Sequence, residues 1–282
     1  MAARLTERGH DVVATAREGP TVATLAPRWL SNISAFEVFS ADRPDIVGDL
    51  LDRVRPDVIV NGIGIVKQRE AAASPLAFIE INAAFPHRLA EASQTRDIRL
   101  VHVSTDCVFS GRTGRYTERD APDPLDLYGQ TKLLGEVRGS GCLTLRTSII
   151  GWELRNRLGL LEWFAAQRGR KIKGFRNAIY TGLSTAQMSR LVVDVVERWP
   201  GLAGLWHVSS EAISKYDLLV GLRNALGWSD ITVECDAEVS CDRALVSDRF
   251  RNETGWTPPT WDEMIRELAA EWPEYAETRE SS

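Results

Sequence analysis

Apolar residues recur along the chain with two different periods, and segments of the two kinds alternate. Continuous apolar runs such as Val58-Ile59-Val60 are typical of strands buried on both faces, whereas spacings of three and four residues are typical of amphipathic helices. The alternation predicts an α/β fold with a parallel sheet covered by helices. The predicted strands are 11–16, 57–63, 98–103, 143–150 and 205–208, and the predicted helices are 1–9, 44–54, 74–95, 158–168, 185–198, 215–226 and 261–272.

The alternation weakens in the second half of the chain. After the strand that ends near residue 150, helices dominate, with two short elements expected before the last helix. The charged tail 274–282 is expected to be frayed. We therefore predict one domain over residues 1–150 and a smaller region over residues 151–282, some segments of which return to the first domain.

Composition limits the classes of protein that fit. The 282 residues are 44% hydrophobic and 26% charged, as in ordinary globular proteins, and the formal net charge of −5 argues against a nucleic-acid polymer or an anionic membrane as partner. No apolar run is long enough for a membrane span, and a secretory signal core is not evident. The four cysteines and four histidines are scattered, which predicts free thiols, no metal site and a cytoplasmic location.

The most informative chemistry is a tyrosine and a lysine four residues apart, Tyr128 and Lys132, at the start of a predicted helix. Such residues project from one helix face. An ammonium about 4 Å from a phenol contributes up to about 4 kcal/mol at an effective dielectric of about 20, or roughly three pKa units. We expect this lysine to acidify the phenol so that it can donate a proton. A hydroxyl of Ser104 or Thr105, at the carboxyl end of a strand, would hold the substrate oxygen beside it.

The chain opens on a segment that reads as a helix, residues 1–9, with Gly9 as its stop. Dinucleotide-binding folds place a strand and a glycine-rich turn before that helix. We therefore expect the sequence to be an N-terminally shortened version of such a fold that binds dinucleotide poorly. The absent strand would lie in the middle of the sheet.

Several motifs occur together along the chain. They are Arg55-Pro-Asp-Val-Ile-Val-Asn61, Ser104-Thr-Asp-Cys-Val-Phe-Ser-Gly111, Tyr116-Thr-Glu118, Asp120-Ala-Pro122, Tyr128-Gly-Gln-Thr-Lys-Leu-Leu-Gly-Glu136 and Leu145-Arg-Thr147. With these motifs the chain resembles the extended short-chain dehydrogenases/reductases, specifically the dTDP-4-dehydrorhamnose reductase-like, sugar nucleotide-binding branch. The resemblance covers nearly the whole chain and implies a Rossmann-like doubly wound parallel sheet that binds NAD(P), with a smaller C-terminal substrate-binding region.

The resemblance implies a role for each matching residue. Tyr128 would donate a proton to the 4-keto oxygen of a nucleotide sugar, and Lys132 would bind the nicotinamide ribose and lower the pKa of the phenol. Thr105 would bind the keto oxygen, with Asp106 supporting the local network. The residues expected along the cofactor are Asn61, Gly62, Ile63, Gly64, Ser104, Tyr128, Lys132 and Arg17.

The expected choice between NADPH and NADH depends on Arg17. This residue directly follows the predicted strand 11–16, which would be the second strand of a complete dinucleotide-binding fold. An arginine there suits the 2′-phosphate of NADPH, and its alternative is an ordinary solvated arginine, so NADPH or NADH fits with NADPH preferred. Asn82 matches an asparagine that bridges to the active-site lysine through water, or is a packing residue. Lys67 would face the substrate or remain a solvated loop residue.

Three positions depart from the pattern of related enzymes. Cys107 stands where sugar-nucleotide 4,6-dehydratases carry a glutamate base, which argues against dehydration. Ile65 and Ile149 replace a tyrosine and a tryptophan of the rhamnose-type reductases, so the sugar pocket is expected to differ.

Three functions remain open from the sequence. The favoured one is NAD(P)H-dependent reduction of the 4-keto group of a nucleotide-linked deoxysugar, for polysaccharide or deoxysugar synthesis. A nucleotide-sugar epimerase with tightly held NAD is the second, and a non-catalytic binding subunit is the third. A homodimer is compatible with each of them.

Overall fold

The computed structural model describes residues 1–16, 33, 35–41, 45–69, 73–154 and 157–280. Its strands are β1 (Val13–Ala16), β2 (Ala35–Val38), β3 (Val58–Asn61), β4 (Arg99–Thr105), β5 (Cys142–Thr147), β6 (Ile149–Ile150), β7 (Lys171–Tyr180), β8 (Leu183–Ser184), β9 (Gly204–His207), β10 (Ile213–Ser214) and β11 (Thr232–Asp242). Its helices are α1 (Ala2–Glu7), α2 (Asp45–Val54), α3 (Pro75–Phe78), α4 (Phe85–Gln94), α5 (Leu127–Leu134), α6 (Leu160–Ala165), α7 (Thr185–Glu197), α8 (Lys215–Ala225), α9 (Asp248–Thr254) and α10 (Trp261–Glu280). A π-helical segment, Ile79–Ala84, joins α3 to α4.

The chain divides into two compact units. Unit 1 comprises Met1–Val108, Pro124–Arg146 and Ser189–Trp206, and unit 2 comprises Phe109–Asp123, Thr147–Met188 and His207–Ser282. The boundary that we predicted near residue 150 is thus crossed by two exchanged segments. One is a loop of the first half that belongs to unit 2, and the other is most of α7 with the strand after it, which belongs to unit 1.

Parallel strand pairing dominates unit 1. A four-stranded sheet has the order β3-β4-β5-β9, and β3 and β4 run parallel with Val58 opposite Arg99. β1 and β2 form a separate parallel pair. The core beside β4 is built by apolar side chains of α2 and α4, among them Leu51, Phe85 and Leu89. The α/β prediction with a parallel sheet is confirmed, and β4 ends at Thr105, where a site was expected.

The two longest strands that the sequence did not predict lie in unit 2. β7 has ten residues and pairs in parallel with β11, which has eleven, and β10 pairs with the other edge of β7. The sequence predicted only two short elements after residue 226. β11 escaped prediction because its exposed positions outnumber its buried ones, so it lacks the apolar run that marks a buried strand.

The C-terminal prediction was also wrong. Residues from 274 onward were expected to fray, but α10 continues to Glu280 with Pro273 inside it. Trp272 explains the continuation, because its ring lies 4.6 Å from that of Trp152 and 5.0 Å from that of Trp228. Burial also raises the pKa of Tyr275 to about 12. Aromatic packing therefore stabilises the end of α10, which its charged composition had indicated to be frayed.

Candidate active site

The loop that follows β3 is fixed by Asn61, the last residue of the strand. The amide of Asn61 donates from Nδ2 to Nδ1 of the His102 ring at 3.1 Å and accepts from the Ile63 backbone N–H at 3.1 Å. Both side chains are buried. An amide nitrogen only donates, so Nδ1 of His102 is an acceptor. Burial, and then the nearby Lys132, lower the pKa of His102 well below its ordinary value, which keeps the ring neutral.

A second buried amide, that of Asn82, binds the backbone of the same loop further along, at Ile65. Its Oδ1 accepts from the Ile65 backbone N–H at 2.8 Å, and its Nδ2 donates to the Ile65 carbonyl at 3.0 Å and to Thr131 Oγ1 at 3.4 Å. Asn82 lies in the π-helical segment, a widened turn that is frequent at functional sites. The side chain therefore binds the loop backbone directly.

Thr105 ends β4 and begins a short turn of 3₁₀ helix, Asp106–Val108. Its hydroxyl donates to Asp106 Oδ1 at 3.2 Å and accepts from the Cys107 backbone N–H at 3.1 Å. The Thr105 side chain also lies close enough to the phenol of Tyr128 to lower the pKa of that phenol. The structure thus brings together Thr105, Asp106 and Tyr128, as the sequence predicted.

The helix that carries Tyr128 begins at an aspartate cap. Asp126 accepts from the Gly129 backbone N–H at 2.8 Å, and its other oxygen forms an ion pair of 2.5 Å with Lys67. A Cβ at Gly129 would collide with the Cys107 carbonyl and would lie 2.9 Å from Pro124 Cβ. Only glycine therefore lets the first turn of α5 approach the 3₁₀ turn after β4 so closely. Lys67, which was expected to face substrate or solvent, forms an ion pair with this capping carboxylate.

The protonation state of Tyr128 differs from the expectation. Burial raises its pKa above the ordinary value for a phenol, and the nearby Cys107, Asp106 and Asp126 add to the rise. The nearby Thr105 hydroxyl opposes the rise. The expected acidification by Lys132 is wrong for this structure, because desolvation of the phenol is the largest influence on its pKa and Lys132 is not among the groups that lower it. Tyr128 is accordingly a neutral hydroxyl at physiological pH.

Lys132 lies one turn after Tyr128 on α5 and is buried, with 6% of its surface exposed. Its Nζ donates to the Val103 carbonyl at 2.8 Å. Burial lowers the pKa of Lys132 to about 8, while Glu136 raises it. The ammonium is thus largely charged at pH 7 and loses its proton over a range that an enzyme assay can reach.

The Ser104 hydroxyl is directed away from this group. It donates to Glu136 Oε1 at 2.8 Å, and Glu136 also receives Arg146 Nε at 2.6 Å and Nη2 at 2.8 Å. Successive strand residues point to opposite faces, so Ser104 and Thr105 cannot share one substrate atom. Of the two hydroxyls proposed from the sequence, the structure leaves Thr105 beside Tyr128.

Three of the remaining predicted cofactor residues, Gly62, Ile63 and Gly64, lie in the loop after β3. A Cβ at Gly62 would meet no described atom within 4 Å, whereas one at Gly64 would lie 3.2 Å from Asn82 Oδ1 and 3.9 Å from Lys132 Nζ. Ile63 stands between them and is fixed through its N–H. Arg17 lies outside the described residues. The loop therefore has an open side at Gly62 and a packed side at Gly64.

Sequence reasoning missed His102, Glu136 and Arg146. His102 was noted only as one of four scattered histidines, and Glu136 and Arg146 only as letters of a motif. A charged residue within a run such as Leu143-Thr-Leu-Arg-Thr-Ser-Ile-Ile150 is the signal that could have found Arg146, because charged side chains are rarely buried without a partner.

In the part of the chain that the structure describes, no three His, Cys, Asp or Glu side chains converge in a way that could hold a metal ion. Among the described helices, none combines the length and the apolarity needed to cross a bilayer.

Known proteins resemble this chain over most of its length. The family model described as "RmlD substrate binding domain" matches residues 1–272. The "Probable low-salt glycan biosynthesis reductase Agl14" of Haloferax volcanii is 26% identical over 96% of this chain and 93% of its own. A dTDP-4-dehydrorhamnose reductase of Escherichia coli (strain K12) is 37% identical over 119 residues, which span 40% of this chain and 39% of that protein.

A solved structure with the same fold is the dTDP-4-dehydrorhamnose reductase of Bacillus anthracis in complex with NADP. It superposes with a TM-score of 0.75 at 20% identity and covers 92% of this chain and 98% of its own. The match of the family model covers far more than half of the chain. The chain therefore belongs to the RmlD substrate binding domain family, within the short-chain dehydrogenase/reductase class of oxidoreductases.

Proposed function

We propose that this protein reduces the 4-keto group of a nucleotide-linked deoxysugar, with NADPH or NADH as hydride donor. Tyr128 gives the proton and Thr105 holds the keto oxygen. The observation that carries the proposal is that the Thr105 hydroxyl lies beside the Tyr128 phenol, with buried Lys132 one helical turn away. A carbonyl oxygen requires hydrogen-bond donors as it becomes an alkoxide; Tyr128 supplies one at the carboxyl end of β4, and Thr105 supplies the second when its hydroxyl turns from Asp106 to the substrate.

The raised pKa of Tyr128 suits the reductive direction. A phenol that is neutral at physiological pH is already the acid that reduction needs, and it yields its proton only when negative charge develops on the oxygen beside it. In the reaction, the carbonyl carbon gains hydride, the oxygen takes the phenolic proton, and the resulting phenolate recovers a proton from solvent. The charged Lys132 stabilises that transient phenolate.

The residues around the loop after β3 fit a nicotinamide cofactor. Gly62 offers an open backbone surface at the carboxyl end of a parallel strand, where small residues allow a ligand to approach closely. When bound, the cofactor supplies the hydride. Lys132 is proposed to bind its ribose hydroxyls, and the backbone of residues 61–64 to lie along it. For Arg17 we propose contact with a 2′-phosphate, which is the basis for preferring NADPH over NADH.

The substrate class is supported by the relatives. The Escherichia coli relative acts on dTDP-4-dehydrorhamnose, as its name states, and the Haloferax volcanii relative is named as a glycan biosynthesis reductase. Cys107 lies near enough to Tyr128 to influence its pKa, and a thiol there does not provide the carboxylate base of a dehydratase. We therefore propose reduction and not elimination of water, on a sugar whose pocket differs at Ile65 and Ile149.

We also propose a cytoplasmic location and a homodimeric assembly. The location is supported by four cysteines that form no disulfide, as in a reducing compartment. The epimerase and the binding-subunit alternatives are separated from reduction by the assay below.

The assay is a panel of nucleotide-linked 4-keto-6-deoxy sugars, each with NADPH and with NADH, followed by the loss of absorbance of the reduced cofactor. We expect turnover with at least one sugar, and a loss of about 10²-fold or more in kcat for Tyr128→Phe. Because the phenol is buried, the matched control Tyr275→Phe removes a half-buried hydroxyl of unit 2 and should leave kcat unchanged.

Other results would reject the proposal. Tightly held NAD in purified protein, with interconversion of sugar epimers and no net consumption of NADPH, would establish the epimerase. Sugar-nucleotide binding without turnover would establish the binding subunit. An unchanged kcat in Tyr128→Phe would remove this hydroxyl from the mechanism.

A further inference from the structure

A buried ionic network lies directly behind the proposed proton donor. The Glu136 carboxylate accepts three hydrogen bonds: two from Arg146, at 2.6 and 2.8 Å, and one from Ser104 Oγ at 2.8 Å. Arg146 is 1% exposed, and Ser104 and Glu136 are also buried. Two charges with this geometry form a bidentate pair, which is stronger and more directional than an ordinary hydrogen bond.

The network and Lys132 share one strand of the sheet. Lys132 Nζ donates to the carbonyl of Val103, and the next residue along β4, Ser104, binds Glu136. Lys132 and Glu136 are four residues apart across the end of α5, where Gly135 is pressed against the Asn82 carbonyl so closely that a Cβ would collide with it. The backbone therefore holds the ammonium and the carboxylate at fixed, neighbouring positions.

The charges that face Lys132 favour an electrostatic role for Glu136. Two uncharged groups of the described residues lie beside the ammonium: the Val103 carbonyl, which accepts its hydrogen bond, and the Asn82 amide, on the other side of Gly64. His102, on the adjacent part of β4, stays neutral, and Tyr128 keeps its proton. Desolvation drives Lys132 towards the neutral amine, and Glu136 is the group that opposes it.

We propose that Glu136 is a positioning residue of this site, whose carboxylate, fixed by Arg146 and Ser104, keeps the buried Lys132 ammonium charged beside Tyr128. The charge on Lys132 is a property of the protein alone. Its consequence for catalysis rests on the proposed function. A purely structural ion pair would stabilise unit 1 without any effect on the lysine, so the two roles make different predictions.

The charge is measured by NMR of protein that carries ¹³Cε-lysine, titrated from pH 6 to pH 11. The chain has five lysines, so the resonances are few, and Lys132→Arg identifies the one of interest. In Glu136→Gln we expect the pKa of Lys132 to fall by about one unit or more, which is the usual effect of losing an opposite charge at short range. Lys67, Lys171, Lys173 and Lys215 serve as internal controls and should titrate as in the parent.

Loss of Glu136 leaves Arg146 buried without a counter-charge, so Glu136→Gln alone can fail to fold. The double variant Glu136→Gln/Arg146→Met removes both charges and keeps a side chain of similar length. Lys132 should still titrate at lower pH in it than in the parent, because Glu136, and not Arg146, is the charged group that acts on the pKa of Lys132. Glu136→Asp keeps the carboxylate, so the pKa of Lys132 in this variant should be close to its value in the parent.

The outcomes separate this inference from the proposed function. An unchanged Lys132 titration in the double variant would overturn the role of Glu136, even if the parent reduces keto sugars. A lowered titration upholds it, even if no sugar of the panel is reduced and the proposed function fails. Where turnover is observed, the alkaline fall of kcat should move to lower pH by the same amount as the Lys132 titration.

Discussion

Charged side chains are used differently at the end of β4 and along the β7–β11 pair. At the first place, Glu136 and Arg146 are buried and bidentate. At the second, Lys173 meets Asp236 at 2.8 Å on neighbouring strands, with the lysine side chain 65% and the aspartate side chain 7% exposed. Water can replace Asp236 at the exposed ammonium, and Asp236 keeps the Glu238 backbone N–H as a donor, but at the Glu136–Arg146 pair a lost partner leaves an uncompensated buried charge. We therefore expect charge at the end of β4 to affect the chemistry of the site, and charge on β7 to have little effect beyond the surface.

Arg146→Ala and Lys173→Ala test this comparison with the largest expected effect on stability. Removing Arg146 should lower the free energy of unfolding by about 3–5 kcal/mol, because Glu136 then stays buried without its main partner. Removing Lys173 should have a much smaller effect on thermal unfolding, because its ammonium is largely in water and Asp236 still accepts a hydrogen bond from the Glu238 backbone N–H. Scanning calorimetry of both variants decides the point, and equal effects would show that burial does not separate the two pairs.

Lys132→Met should trade activity for stability. Folding lowers the pKa of Lys132 from 10.5 to about 8, so between these values the unfolded chain binds more protons than the folded chain. The free energy of unfolding should therefore rise as pH increases from about 8 to about 10.5, and burial of the charged lysine costs about 3 kcal/mol below that window.

In Lys132→Met this cost disappears, less the hydrogen bond to Val103. We expect a melting temperature several degrees above that of the parent at pH 7, a smaller rise of stability between pH 8 and 10.5, and loss of turnover. Lys173→Met is the control on the exposed strand and should change none of these. A melting temperature below that of the parent at pH 7 would mean that the buried ammonium stabilises the fold.

The sequence predicted the parts of the site that depend on local geometry. Ser74 caps the helix that starts at Pro75, and Tyr128 and Lys132 share one helix near the end of β4, as expected. It failed where the answer depends on desolvation: the direction of the Tyr128 pKa shift and the burial of Arg146 follow from packing between distant segments. β11 was missed for a related reason. Its pairing with β7 and its ion pairs to lysines of β7 stabilise it, and its sequence lacks the apolar pattern that predicts a strand.

Two glycines sharpen the same distinction with smaller effects. An alanine at position 129 would be forced against the Cys107 carbonyl and Pro124, so Gly129→Ala should cost about 1–3 kcal/mol in stability and should lower kcat by moving Tyr128. An alanine at position 62 meets open space, so Gly62→Ala should leave stability within about 0.5 kcal/mol.

The two glycine variants are separated by measuring the Kd for NADPH next to the melting temperature. If the loop lies along the cofactor, Gly62→Ala weakens the affinity for NADPH without loss of stability. A Gly62→Ala variant that binds NADPH as tightly as the parent would place the cofactor elsewhere.

The central claim is that a neutral Tyr128 donates its proton beside a charged Lys132, and the pH dependence of kcat for keto-sugar reduction between pH 6 and pH 10 tests it most directly. Because Lys132 holds its proton below about pH 8, kcat should be level up to that pH and should fall above it as the ammonium is lost. A kcat that rises through pH 8 to 10 would contradict the account, since it would mean that the reaction needs a deprotonated group where we assign two protonated ones.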